Sequence, residues 1–116
     1  MGAAIRSVIT IDPASRIGPS SVTIDGVDHE LDMVAAADGP TPSRRIITAI
    51  GEAKAGEILS LRHLDRLERA RTALGRRAAD ARLFLFGTAV DPALMTATSK
   101  RSDVEIVDLH RLYSGE

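Results

Sequence analysis

The sequence predicts a mixed α/β domain, in which antiparallel strand pairs lead into a β-α-β-α-β run. Three observations carry this. Ile46-Ile47-Thr48-Ala49-Ile50 is rich in β-branched residues and reads as a buried strand. From Leu59 the apolar period turns helical, with Leu61, Leu64, Leu67, Leu74 and Ala78 on one face. After that come a compact apolar run, a short helix signal and the run Val104–Asp108. Strands that alternate with helices in this way imply parallel pairing through right-handed crossovers.

Taken in order, Ile5–Asp12 alternates well enough for an edge strand, and Asp12–Pro19 reads as a turn-rich connection. Ser20–Asp25, closed by Gly26, is a short strand, and Glu30–Ala36 is the next; they read equally as two strands or one bulged strand. The loop Ala37–Arg44 joins this segment to a strand over Arg45–Ala53 as a hairpin, and Ala55-Gly56 reads as the break that ends it. A helix follows from a Ser60 N-cap to about Ala78, with Gly75 a weak point. Ala81–Phe86, stopped by Gly87, reads as a buried central strand. Asp91 before Pro92 has the form of an N-cap and first helical residue. Leu109–Tyr113 reads as a terminal helical turn.

The 116 residues suit one domain with one core, and no internal repeat or low-complexity tract divides them. A net charge of −1 gives no general affinity for nucleic acid, so any such affinity must come from local charge. With no cysteine there can be neither a disulfide framework nor a cysteine-based zinc site. Three aromatic residues, Phe84, Phe86 and Tyr113, are too few for a base-stacking platform. No apolar run is long enough to span a bilayer and no signal-peptide core stands at the start, so the expected location is cytoplasmic.

The chemistry concentrates in Glu52-Ala53-Lys54, at the end of the Arg45–Ala53 strand. Strand side chains alternate, so Glu52 and Lys54 point the same way, roughly 7 Å apart. Glu30 and Asp32 share a face of the preceding strand. Carboxylates on one face of adjacent strands can approach a single divalent ion. Asp32 and Glu52 are the expected ligands, with the Ala53 carbonyl as a third oxygen. Oxygen-only ligation suits Mg²⁺ or Mn²⁺. Lys54 stands where it could orient water or stabilise developing negative charge. The plainer alternative is a Glu52–Lys54 ion pair at a strand end, with Asp32 solvated.

Asp32 followed by Glu52-Ala53-Lys54 resembles the PD-(D/E)XK signature of restriction-endonuclease-like nucleases. More narrowly, His29–Ala35, Ile50–Lys54, Leu61–Arg69 and Asp103–Tyr113 together resemble the nuclease-like C-terminal domain of bacterial and archaeal AAA-type ATPases. The resemblance implies a restriction-endonuclease-like mixed central sheet flanked by helices. It also implies acids that bind metal, a lysine that assists water attack on a phosphodiester, and an ATPase partner in cis or in trans. The chain departs from the pattern in three ways. Nothing before Ile5 supplies the usual first helix, which suggests a piece of a longer ATPase or a domain completed by a second copy, hence an expected homodimer. Ala55 stands where an aromatic residue is expected, and no phosphate-loop motif occurs, so this chain is not the ATPase itself.

Seven arginines between Arg62 and Arg82 face only Asp65, Glu68 and Asp80 in that stretch. Arg62, Arg66 and Arg69 are the candidates for phosphate contact, set against a plain solvated helix face. Glu30 and His29 stand as supporting residues beside the acids. His63 and His110 share no ligand spacing with His29, so zinc is not expected. The function expected from sequence is a metal-dependent nuclease-like domain acting on DNA. The alternative is a catalytically inactive DNA-binding or assembly module of an ATPase.

Overall fold

The strands, helices and 3-10 turn follow one another as β1 (Arg16–Ile24), β2 (Val27–Ala37), β3 (Ile46–Leu59), α1 (Leu61–Leu74), a 3-10 turn (Gly75–Ala78), β4 (Arg82–Val90), α2 (Pro92–Thr98) and β5 (Val104–Asp108). The computed structural model describes residues 16–24, 26–39 and 45–110, and only the backbone of 16–24 and 27–29. The strand expected over Ile5–Asp12, most of the loop before Arg45, and the end of the helical turn toward Tyr113 lie outside the described residues.

Five strands form one sheet in chain order. β1 with β2 and β2 with β3 are antiparallel, while β3 with β4 and β4 with β5 are parallel. This is the mixed α/β arrangement the sequence predicts. Both helices lie on the same face of the sheet among the described residues. Leu64, Leu67 and Ala70 of α1 and Leu94 of α2 pack with Ile50, Leu83, Leu85 and Ile106 of the strands. Two successive crossovers of one hand that step along the sheet in one direction must return on one side. Burying a leucine such as Leu67, fully inaccessible here, contributes about 2 kcal/mol. The other face carries Met33, Ala35, Ala49, Phe84 and Val107.

Several boundaries differ from expectation, each for a backbone reason. Arg16–Pro19, read as turn, belongs to β1, and Gly26 at φ +79° makes the tight return to β2, so these are two strands. β3 does not end at Ala55-Gly56. The register passes from Lys54 opposite Gly87 to Ile58 opposite Ala89, so the intervening residues of β3 outnumber those of β4 and bulge outward, with Gly56 at φ +81°. β4 likewise runs through Gly87 to Val90. Gly87 is required by packing, since a Cβ there would stand 2.7 Å from the Leu59 side chain.

The helix starts follow the sequence. Ser60 precedes α1 in extended conformation, and Asp91 Oδ1 accepts the amide of Ala93 at 2.9 Å. The 3-10 turn from Gly75 finishes the predicted helix at Ala78. At the amino ends of β4 and β5 an ion network fixes α1 to the sheet. Arg101 binds both oxygens of Asp103 and reaches Glu68, while Arg71 joins Asp103 and the Ala81 carbonyl. The two guanidiniums hold the Asp103 carboxyl far below the usual carboxylate range.

Because Leu59 is fully buried, it cannot yield to a new methyl group at Gly87. Gly87→Ala is expected to destabilise the fold by about 1–3 kcal/mol, read as a lower urea midpoint at an unchanged m-value.

Candidate functional site

The site forms where β2 and β3 part company. Their ladder ends at Met33 opposite Gly51, after which β2 continues with β1 alone and β3 with β4. At that fork β2 carries a bulge: Asp32 and Met33 together lie between the pairs Gly18–Val34 and Ser20–Leu31, opposite Pro19 only. Pro19 has no N–H to give to the ladder, which makes it a natural partner for a bulge. The bulge switches the strand's faces. Leu31 packs into the helix-side core and Met33 into the opposite cluster, despite their two-residue spacing.

Asp32 is thereby aimed at β3, where its Oδ2 accepts the Ala53 amide at 2.7 Å. That bond takes the place of the next ladder bond and ties the two strands together beyond their last pair. Asp32 is otherwise exposed, as is Ala53. Asp32 thus reaches the Glu52-Ala53 segment through the Ala53 backbone amide.

Glu52 is nearly inaccessible, at 4% exposure. It shares the helix-covered face with Ile50, and α1 meets it with a cation. Arg66 Nη1 donates to Glu52 Oε1 at 2.9 Å, and Lys54 Nζ stands 3.3 Å from the same oxygen. The second oxygen, Oε2, is buried and has no hydrogen-bond partner among the described residues. A buried carboxylate oxygen without a donor is costly, because its desolvation is not repaid. The Glu52–Lys54 pair of the plainer reading is thus present, yet it satisfies only half of the carboxylate.

The other sequence candidates spread out. Arg66 belongs to Glu52. Arg62 is exposed at the start of α1, and Arg69 is exposed two turns further on. Glu30 is exposed on β2 ahead of the bulge, and the side chain of His29 lies outside the described residues. Elsewhere in the arginine-rich stretch, Arg82 pairs with Glu105 and lies 5.4 Å over the Phe84 ring. Among the described residues no three histidine or carboxylate side chains gather as a metal-binding group.

Sequence reasoning weighed His63 only as a zinc ligand and missed its place at the helix start. Its imidazole is 2% exposed, its Nδ1 accepts the Ser60 amide at 3.0 Å, and its Nε2 stands 3.9 Å from Glu57. An Nδ1 that accepts carries no proton, so the ring is neutral with its hydrogen on Nε2. The signal was legible: Ser60-x-x-His63 has the spacing of a capping box, with histidine in the place of glutamate or glutamine. Burial pushes the His63 pKa below the ordinary 6.5, against Glu52 and Glu57, which pull it up, and with Arg62 and Lys54, which push it down.

No known protein family, curated protein or solved structure gives a significant match to this chain. The arrangement around Glu52 therefore carries the functional argument.

The unfolded chain takes up a proton at His63 below about pH 6.5 that the folded chain resists. Stability is therefore expected to fall as pH drops through that value toward the lower folded pKa. Urea midpoints at about pH 7.5 and about pH 5.5 should differ for the native sequence. His63→Gln keeps an acceptor for the Ser60 amide and removes the titration, so its midpoint should hold nearly constant.

Proposed function

We propose that the chain is a restriction-endonuclease-like domain whose Asp32, Glu52 and Lys54 form a divalent-metal site for DNA phosphodiesters. The observation that carries this is the unsatisfied, buried Oε2 of Glu52, beside an aspartate held by the next residue's amide. The resemblance of Asp32 and Glu52-Ala53-Lys54 to the PD-(D/E)XK signature supports the same reading. So does the forked strand pair, whose ladder stops at Gly51 and leaves the Asp32–Ala53 bond to join the strands beyond it.

The donor set suits a hard ion. Asp32 and Glu52 would hold Mg²⁺ or Mn²⁺, with the Ala53 carbonyl and water completing an oxygen-only shell. A bound ion would lower the pKa of water and offset charge on a phosphate. The protein's own groups do the positioning. The Ala53 amide holds Asp32 through Oδ2, so Oδ1 would be the oxygen offered to an ion. Lys54, partly exposed and 3.3 Å from Glu52, offers its remaining protons to an attacking water or a phosphate oxygen. Arg62 and Arg69, exposed along α1, supply sequence-independent attraction for a phosphate backbone.

The narrower resemblance supports a working partner of the AAA-type ATPase class, in cis or in trans. No helix of the described residues is long and apolar enough to cross a membrane.

One observation favours a second reading, a DNA-binding or assembly module without turnover: both nearby cations already neutralise Glu52 Oε1. Incubation with supercoiled plasmid and Mn²⁺ separates the two. The nuclease reading expects nicking that Glu52→Gln lowers by about 100-fold or more. Equal nicking by both proteins, or none by either alongside salt-dependent DNA binding, would favour the module.

A further inference from the structure

Arg66 raises a question that the catalytic reading leaves open. It comes from a different element than the other three charged residues, and it makes the shortest ionic contact to Glu52. Glu52 meets two cations, Lys54 and Arg66, on one oxygen, so its charge is already offset. A divalent ion entering beside Glu52 therefore meets a carboxylate whose negative charge is already spent. Coulomb repulsion between a guanidinium and an ion sharing one buried carboxylate is weakly screened.

We propose that Arg66 is a built-in counter-cation that competes with the divalent ion for Glu52, and that a phosphodiester relieves the competition. This rests on the metal-site reading given above. Without an ion, Arg66 neutralises a carboxylate that would otherwise be buried with one weak partner. Arg66 is itself 39% exposed, so its guanidinium can swing toward an incoming phosphate, which it binds in a forked geometry as well as it binds a carboxylate. When it does so, Glu52 regains its charge for the ion. Ion binding and phosphodiester binding then strengthen one another, and by linkage each raises the other's affinity by the same factor. His63 and Leu67 flank Arg66 on the buried face of α1, so the backbone beneath the guanidinium stays fixed while the side chain moves.

Calorimetric titration with Mn²⁺ alone tests this on the native chain, Arg66→Gln and Glu52→Gln. The expected result is tighter Mn²⁺ binding by Arg66→Gln, on the order of tenfold, and loss of binding in Glu52→Gln. The thermal midpoint of Arg66→Gln should also rise more on adding Mn²⁺ than that of the native protein, because the ion replaces the missing cation. Should Arg66→Gln fail to fold, the native protein supplies the test. A short DNA duplex should then tighten Mg²⁺ binding, and Mg²⁺ should shift the Arg66 guanidinium resonances. Unchanged or weaker Mn²⁺ binding by a folded Arg66→Gln, with binding still dependent on Glu52, would overturn the role of Arg66 alone. Mg²⁺ affinity indifferent to DNA would do the same. Mn²⁺ binding indifferent to Glu52→Gln, or absent throughout, would overturn the metal site and this proposal together.

Discussion

A carboxylate buried at a fork between strands constrains much of this structure. Glu52 lies on the helix-covered face of β3, where its neighbours are Ile50 and the leucines of β4. An ionised group there would cost several kcal/mol without partners. Arg66 and Lys54 offset that cost at Oε1. The register of α1 against the sheet is tied to this pairing, because a shift of one turn along its axis, about 5.4 Å, would carry Arg66 away from Glu52. The Ser60–His63 cap fixes where α1 begins, and Arg71 with Asp103 fixes its other end. Glu52 is thus reached by an arginine anchored at both ends of its helix, and it still keeps one oxygen unspent.

The geometry around Glu52 comes from irregular backbone more than from regular strand. A perfect β2–β3 ladder would have bonded the Ala53 amide to a carbonyl and set Asp32 directly opposite Glu52 on the same face. The bulge at Asp32 and Met33, opposite Pro19, turns the aspartate onto that amide instead. A second bulge, at Thr48, adjusts β3 before the fork, and the Thr48 hydroxyl donates to the Ala35 carbonyl at 3.2 Å. A third, around Gly56, carries β3 past Lys54 and back to β4 at Ile58. Bulges of this kind re-aim side chains at the cost of ladder bonds.

Much of this was readable from residue order, and the failures have physical causes. Val104–Asp108 is a strand within the bounds its alternation suggested, and the Asp91-Pro92 and Ser60 helix starts are where their capping chemistry puts them. Gly56 and Gly87 misled as strand ends. In the first the glycine permits a bulge, and in the second it admits Leu59, so both belong to strands that continue. The pairing of Arg66 with Glu52 spans fourteen positions and depends on how α1 lies over the sheet, which no local pattern specifies. The cancellation of the arginine-rich stretch was similarly hidden. Arg71 and Arg82 find Asp103 and Glu105, acids more than twenty residues downstream. His63 escaped because a histidine at the capping-box position looks like an unremarkable helix residue until its ring is seen to be buried.

A metal-dependent function requires a cation to fit between Glu52 Oε2 and an Asp32 oxygen. Anomalous diffraction from crystals grown with Mn²⁺ tests this most directly. The predicted result is one strong peak within coordination distance, about 2.2 Å, of Glu52 Oε2 and an Asp32 oxygen, with Lys54 beside it. Crystals that bind Mn²⁺ only elsewhere, with a protein donor or an ordered water satisfying Oε2, would contradict it.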